Sequence, residues 1–256
     1  FYVLVRIQAL PEPRRWISAS LISGLLALAE PITIPFIVLS FGYVAYLSQR
    51  SFKDSILQLA VVLFVFAITI APWTVRNYLV FNELVFFKSS FGASLKDSFG
   101  KHVPKETYAP LIKMVEGKNE IEEDNAVRKA ILSWVVANPL TYMRLLPSHF
   151  LNFWWETKRY KDNRTTQYIL GRKFPYIGLL GLSLLPLFLA IVRLGWRKLR
   201  ANIRIDQNLM LILILTYTAT YTLVGAWNMR YHFPVELAMF VFAAETSIHV
   251  LNKLGF

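Results

Sequence analysis

Cysteine is absent from the chain of 256 residues, and only 17 % of the residues are charged. Without cysteine there can be no disulfide framework, no thiolate metal site and no cysteine nucleophile. An ordinary soluble domain contains about 25 % charged residues. Since 55 % of this chain is hydrophobic, its few charges could not cover a water-exposed surface, and the same composition excludes disorder. The composition therefore predicts a membrane protein.

Long apolar runs are the feature that the chain has in abundance. Six of them approach the roughly 20 residues that cross a bilayer. They are Ile17–Ala29, Ile32–Leu47, Ser55–Pro72, Phe174–Val192, Asn208–Gly225 and Phe233–Leu251. We predict an all-α fold, a polytopic membrane bundle of about six transmembrane helices with an extra-cytoplasmic helical insert. The predicted organisation is transmembrane helices in residues 1–72, an outer-face domain in 73–173 and further transmembrane helices in 174–256.

Glu30 and Pro31 separate the first two apolar runs. A single continuous helix would carry a carboxylate and a proline at its middle, and an unpaired carboxylate in hydrocarbon is expensive. A short helix, a tight reversal and a second helix would instead bring Glu30 to a membrane face. We therefore expect the chain to reverse at these two residues.

The distribution of basic residues predicts the orientation, because short cytoplasmic loops carry an excess of Lys and Arg. If the first run leaves the cytoplasm, the cytoplasmic segments are 1–16, 48–54, 193–207 and the tail from Asn252. They hold eleven Lys and Arg residues, whereas the short outer connections hold only Arg230. We predict an integral plasma (inner) membrane protein with residues 73–173 on the extra-cytoplasmic side. The basic loops account for most of the formal charge of +12, which gives no support for nucleic-acid binding.

Two amphipathic helices are predicted in the outer segment. Glu120–Ala137 begins with an acidic turn, which favours a helix N-terminus, and Asn138-Pro139 supplies a stop. Its apolar stripe consists of Val127, Ala130, Ile131, Trp134 and Val135. The second helix, Leu140–Trp155, combines aromatic residues with Arg144. That composition suits either a helix at the membrane interface or ordinary packing between helices.

Two arginines on the predicted outer face are the leading candidates for a binding site. Arg76 follows the third apolar run, and Arg230 precedes the sixth. A guanidinium suits phosphate recognition because its planar fork donates two parallel hydrogen bonds. Tyr78 and Tyr231 could add hydroxyl donors and pack on a lipid tail. The alternative is that these residues only anchor the helices, since Arg and Tyr are common at membrane interfaces.

Three further residues of the same face are secondary candidates, namely Glu30, His232 and Glu236. Glu236 lies one turn from the outer face, where it could pair with Arg230 or Arg76. The four histidines share no metal-ligand spacing, so no metal is predicted. Nucleotide-binding motifs and the G-x-S-x-G motif of serine hydrolases do not occur, and no cofactor is predicted.

Several short motifs follow one another along the chain. They are Arg14-Arg15-Trp16, Ser23–Pro31, Ala71–Tyr78, Phe81–Val85, Ser89–Gly92, Ala126–Pro139, Phe153–Trp155 and Arg230–Glu236. In this order they resemble bacterial polytopic glycosyltransferases of the GT-C superfamily, relatives of the protein O-mannosyltransferases and of the lipid A aminoarabinose transferase. The resemblance implies an inverting transferase that takes a sugar from a polyprenyl-phosphate donor on the outer membrane face. It makes Arg76, Arg230 and Tyr231 candidates for contacting the lipid phosphate.

The resemblance has two departures. The family usually has an arginine before the proline, where this chain has Glu30. The family's catalytic acid lies in an earlier outer loop, and nothing in this chain matches it, so the catalytic residues are unidentified. Because Phe1 begins within an apolar run, we expect a preceding segment and regard the chain as the C-terminal part of the enzyme, inactive alone. The acceptor, whether glycan, lipid or protein, is open, and membrane lipids are the surrounding partners.

A non-enzymatic polytopic membrane protein, either a transporter segment or a scaffold, is the alternative. A transporter is expected to have a repeat, or a broken helix aimed at a site near the middle of the bilayer. Glu30-Pro31 is the one candidate break, and no second half mirrors it. Glu30 beside a midplane cavity would favour a transporter, whereas Glu30 at the outer rim, facing Arg76 or Arg230, would favour the transferase.

Overall fold

The computed structural model describes residues 2–9, 12–48, 51–88, 91–99, 105–106, 109–110, 113, 119–155, 176–183, 205–225 and 229–254. Over these ranges the chain is mainly helical and contains no β-strand, so the prediction of an all-α fold is confirmed. The helices are α1 (Tyr2–Ala9), α2 (Pro13–Ala29), α3 (Ile34–Leu47), α4 (Phe52–Phe81), α5 (Phe91–Phe99), α6 (Glu120–Ala137), α7 (Pro139–Trp155), α8 (176–183), α9 (Ile205–Val224) and α10 (Met229–Leu254).

The chain divides into two compact units. The first comprises Phe1–Trp155 with Thr216–Trp227, and the second comprises Glu156–Leu215 with Asn228–Phe256. Within the described ranges, two helices are long and apolar enough to cross a membrane, a stretch of 29 residues in α4 and the 20 residues of α9. A shorter apolar helical stretch, Pro31–Leu47, comprises a 3₁₀ turn and α3. Two candidate membrane spans are therefore supported, and the remaining predicted spans stay predictions.

The reversal predicted at Glu30-Pro31 is confirmed. α2 ends at Ala29, a 3₁₀ turn occupies Pro31–Thr33, and α3 begins at Ile34. The rings of Trp16 and Phe41 stack with centroids 6.0 Å apart. In one continuous helix these two residues would lie about 37 Å apart along the axis, so the chain must turn back between them.

α2 packs closely against α4 through small residues. The Ser20 hydroxyl is buried and donates a hydrogen bond to the Val62 carbonyl oxygen at 2.5 Å. Further along, a Cβ atom placed on Gly24 would lie 2.7 Å from Cβ and Cγ2 of Thr69. Helices in membranes associate through such close approaches, because apolar contact alone gives little advantage over contact with lipid tails.

α4 does not stop where the apolar run Ser55–Pro72 stops. Pro72 lies inside the helix, which continues to Phe81. The helix then ends at Asn82, whose backbone is left-handed (φ 55°) and whose N–H donates to the Tyr78 carbonyl oxygen at 2.8 Å. Residues 73–81, which the sequence predicts as the start of the outer segment, are therefore a helical continuation of the candidate span.

α5, α6 and α7 form a helical layer with its own core. The bounds predicted for α6 are confirmed, and those predicted for α7 differ by one residue. Asn119 caps α6, since its side chain accepts hydrogen bonds from the two backbone N–H groups of Ile121 and Glu122. The buried core residues are Leu95, Phe99, Val127, Ala130 and Ile131, with Trp134 and Val135 packed against them. The predicted apolar stripe of α6 is thus confirmed.

The second unit contains α8, α10 and the first part of α9. Ser183 at the end of α8 donates a buried hydrogen bond to the Met239 carbonyl oxygen of α10 at 2.8 Å. Gln207 of α9 donates to the Glu245 carboxylate of α10 at 2.9 Å. The carboxylate of Glu245, which lies within the last apolar run, therefore has a polar partner inside its own unit.

Candidate functional site

Arg76 lies on the last turns of α4, beyond the apolar run. Its guanidinium carbon lies 5.5 Å from the centroid of the Trp73 ring, and Nη1 donates a hydrogen bond to Asn77 Oδ1 at 3.1 Å. Cation–π contacts of this kind contribute about 0.5–1 kcal/mol at exposed sites. The side chain is exposed, and Asn77 is its one acceptor among the residues that the structure describes. Arg76 is thus oriented by its neighbours while its other N–H donors face outward.

Residues 82–88, which we call the return segment, run back along the end of α4. The Asn77 side-chain amide donates to the Val85 carbonyl oxygen at 3.0 Å, and the Trp73 indole donates to the Phe87 carbonyl oxygen at 2.8 Å. Asn77 is only 2 % exposed. Its amide therefore bridges Arg76 and the return segment, because it accepts from the first and donates to the second.

Glu30 contacts Lys88, the last residue of the return segment. Lys88 Nζ lies 3.3 Å from Glu30 Oε2, and both side chains are partly exposed. Among the described residues, the cation that faces Glu30 is Lys88 and not Arg76, one of the two arginines considered above; the side chain of the other, Arg230, lies outside the described residues. The difference arises because the return segment carries Lys88 back to the α2–α3 reversal, a long-range contact that no local pattern signals.

Tyr78 lies on a different face of α4 from Arg76. Residues two apart on a helix are separated by about 200° around its axis, so they do not face each other. Trp73 and Asn77 are three residues before and one residue after Arg76, and both contact its guanidinium. Tyr78 is 48 % exposed. The sequence-based grouping of Arg76 with Tyr78 in a single site therefore remains a prediction, and Trp73 and Asn77 are the partners that it missed.

The other leading candidates lie at the start of α10. The side chains of Arg230 and Tyr231 fall outside the described residues, so their predicted contact with a lipid phosphate stays a prediction. His232 lies one turn into this helix and Glu236 two turns, and both lie near Tyr176 of α8. The His232 ring lies 6.1 Å from the Tyr176 ring, and Glu236 is close enough to interact electrostatically with Tyr176. Two of the secondary candidates thus converge on Tyr176 within the second unit.

Two linked hydrogen bonds connect the return segment to α6. The Asn125 amide donates to Glu83 Oε2 at 2.8 Å, and Arg128 Nη2 donates to Asn125 Oδ1 at 2.7 Å. Glu83 belongs to the return segment, so these hydrogen bonds attach α6 to the return segment. Sequence analysis missed these contacts because Glu83 and Asn125 are 42 residues apart.

No group of three or more His, Asp or Glu side chains that could hold a metal ion occurs in the described part of the chain. Comparison with known protein families, with curated proteins and with solved structures finds no match to this chain. What the site can do chemically is therefore argued from its residues. An oriented, outward-facing guanidinium at the end of a candidate membrane span can bind an anionic oxygen group at the level of the lipid headgroups.

Proposed function

We propose that this chain is the donor-binding, C-terminal part of an integral-membrane glycosyltransferase, which takes a sugar from a polyprenyl-phosphate-linked donor. The observation that carries the proposal is the exposed guanidinium of Arg76, held by Trp73 and Asn77 beyond the apolar run of α4. The phosphate of such a donor lies at headgroup depth, because its prenyl chain is in the bilayer. Two parallel N–H donors at that depth suit its oxygens.

Contacts within the first unit support one common membrane face for the site. The charge distribution predicts Glu30, the outer segment and the connection after α9 on the same side. Glu30 pairs with Lys88, and the Tyr142 hydroxyl of α7 donates to the Leu223 carbonyl oxygen near the end of α9. Glu30 and the end of α9 therefore both contact the predicted outer segment. The positive-inside rule makes this the extra-cytoplasmic face of the six-helix bundle that we propose.

The chemistry of sugar transfer needs a general base within reach of the acceptor hydroxyl. By the resemblance to GT-C transferases, that carboxylate belongs to an earlier outer loop. We therefore assign donor binding to this chain, with Arg230 and Tyr231 as further phosphate contacts, and leave the base to the preceding part of the enzyme. The acceptor is a glycan, a lipid or a protein.

Binding of polyprenyl phosphate to the purified full chain in detergent micelles tests the proposal. Hydrogen bonds to charged groups contribute about 1.5–3 kcal/mol, equivalent to about 10- to 150-fold in affinity. We expect Arg76→Ala to weaken binding by that factor, and Arg76→Lys to weaken it less because the charge remains. Arg14→Ala is the matched control, since it removes an exposed arginine from the opposite, predicted cytoplasmic end of the bundle. The uncharged prenol is the ligand control.

Equal binding of polyprenyl phosphate by the folded Arg76→Ala variant and the wild type would remove the proposed role. The non-enzymatic alternative would then be favoured. A transporter site would hold Glu30 beside a cavity at the middle of the bilayer. Glu30 pairs with Lys88 and interacts electrostatically with Tyr217 of α9, so its partners do not separate the two alternatives.

A further inference from the structure

α7 and the last turn of α9 contact each other through one face of α7. The contacts are a hydrogen bond from the Tyr142 hydroxyl to the Leu223 carbonyl oxygen (3.0 Å), His149 Nδ1 at 3.2 Å from the Thr222 carbonyl oxygen, and the Phe153 ring stacked on Tyr221 at 5.4 Å. Burial raises the pKa of the Tyr142 phenol, so the hydroxyl stays protonated as a donor. α7 is therefore attached along its length to the end of a candidate membrane span.

The spacing of these contacts gives the direction of α7. The residues from Tyr142 to Phe153 extend about 16 Å along α7, whereas their partners from Tyr221 to Leu223 extend only about 3 Å along α9. Helices that run side by side would contact each other over equal lengths. α7 consequently lies across the end of α9. Gly225 (φ 68°) turns the chain directly against it, since a Cβ there would lie 2.7 Å from His149 Cε1.

A second apolar stripe runs along a different, exposed side of α7. It consists of Leu140, Met143, Phe150 and Leu151, with exposed fractions of 71 %, 61 %, 44 % and 60 %. At 100° per residue, the centre of this stripe lies about 130° around the helix axis from the centre of the face that carries Tyr142, His149 and Phe153. Arg144 lies exposed at the edge of the stripe, and α7 contains no Asp or Glu. An apolar stripe edged by a cation and free of acids complements a lipid surface, whose phosphates are negative.

We infer that α7 lies in the plane of the membrane and inserts this second stripe among the lipid headgroups, with Arg144 at the level of the phosphates. α7 lies across the end of α9. When α9 crosses the bilayer, α7 therefore lies at the membrane boundary. A helix of this type buries its apolar face about 5–10 Å into the boundary between headgroups and acyl chains. The inference needs α9 to cross the membrane, but it does not depend on the glycosyltransferase proposal.

The absence of native cysteine makes a direct test straightforward. Single-cysteine variants Leu140→Cys and Leu151→Cys label the second stripe, and Thr141→Cys and Ser148→Cys label exposed positions on its flank. Each full-length variant is spin-labelled and reconstituted in vesicles of phosphatidylethanolamine and phosphatidylglycerol. Collision rates with oxygen, which partitions into lipid, and with a water-soluble nickel chelate are then measured. We expect the oxygen-to-nickel ratio to be several-fold higher at the two stripe positions than at the two flanking positions.

Three outcomes would overturn the inference. Equal ratios at all four positions, at the level of water-exposed sites, would mean that the stripe does not enter lipid. High ratios at all four would mean that α7 crosses the hydrocarbon core. Spin–spin broadening at the stripe positions that disappears on dilution with unlabelled protein would mean that a second copy covers the stripe. None of these measurements uses polyprenyl phosphate, so their failure is separate from failure of the proposed function.

Discussion

α4 and the neighbouring pair α5–α6 follow opposite rules of burial. Only 6 % of the most apolar stretch of α4 is buried. Its side chains Leu57, Leu63 and Phe64 are 66 %, 68 % and 66 % exposed. In the pair α5–α6, by contrast, Phe99 and Ile131 are 1 % and 0 % exposed. The difference indicates which solvent each region is built for. α4 leaves its apolar side chains exposed, as a helix surrounded by lipid would, and contacts α2 at Ser20 and Gly24. The pair α5–α6 instead buries its apolar side chains, as a helix pair in water would.

Truncation of a core aromatic should have the largest effect and tests the comparison directly. Phe99→Ala removes a fully buried ring from the α5–α6 core, which should cost about 3–5 kcal/mol of unfolding free energy. Phe64→Ala removes the same ring from the exposed surface of α4. It should change stability little in detergent micelles or bilayers, because lipid or detergent surrounds the ring in both folded and unfolded states. Denaturant titration followed by circular dichroism measures both variants, and equal losses would contradict the distinction.

A methyl group added to the α2–α4 contact should have the next largest effect. Gly24→Ala brings a Cβ to 2.7 Å from the branched side chain of Thr69, and overpacking of this kind typically costs about 1–3 kcal/mol. Gly42→Ala in α3 is the matched control, since nothing lies within 4 Å of its added Cβ. It should be neutral or stabilise the helix by up to about 1 kcal/mol. If both substitutions behave alike in a thermal melt, close approach does not hold α2 to α4.

Asn77 joins the end of α4 to the return segment, and its removal should have an intermediate effect. Asn77→Ala leaves the Val85 carbonyl without its side-chain donor and should cost about 1 kcal/mol. The backbone amides of the return segment should then exchange hydrogen faster, as read by mass spectrometry. Tyr78→Phe is the control, because Tyr78 is exposed and its hydroxyl has no hydrogen-bond partner in the described part of the chain. Unchanged exchange in Asn77→Ala would show that other contacts hold the return segment.

The Glu30–Lys88 ion pair should make the smallest contribution. Exposed pairs contribute about 0.2–1 kcal/mol, and salt screens them. A double-mutant cycle of Glu30→Gln and Lys88→Met should therefore give a coupling energy in this range, and the coupling should shrink at 1 M salt. A coupling above about 2 kcal/mol would mean that the pair is shielded from water, as a site deeper in the bilayer would require.

Features that depend on neighbouring residues could be predicted from the sequence. α6 begins and ends as expected because its acidic first turn and Asn138-Pro139 act locally. The reversal at Glu30 follows from a proline beside a carboxylate. The continuation of α4 through Pro72 could not be predicted, since a proline removes one N–H donor and ends a helix only where nothing else supports it. The partners of Glu30 and Arg76 depend on the return segment, whose course is set by the left-handed turn at Asn82 and by tertiary contacts.

The return segment also has a consequence for the register of α4. The described contacts that orient Arg76 involve no residue after Lys88. The ion pair between Glu30 and Lys88 joins residues 58 positions apart. None of these contacts requires α5, α6 or α7. A slip of α4 by one helical turn, about 5.4 Å, would carry Lys88 away from Glu30. The ion pair therefore adds about 0.2–1 kcal/mol to the preference for one register of α4 against the α2–α3 reversal.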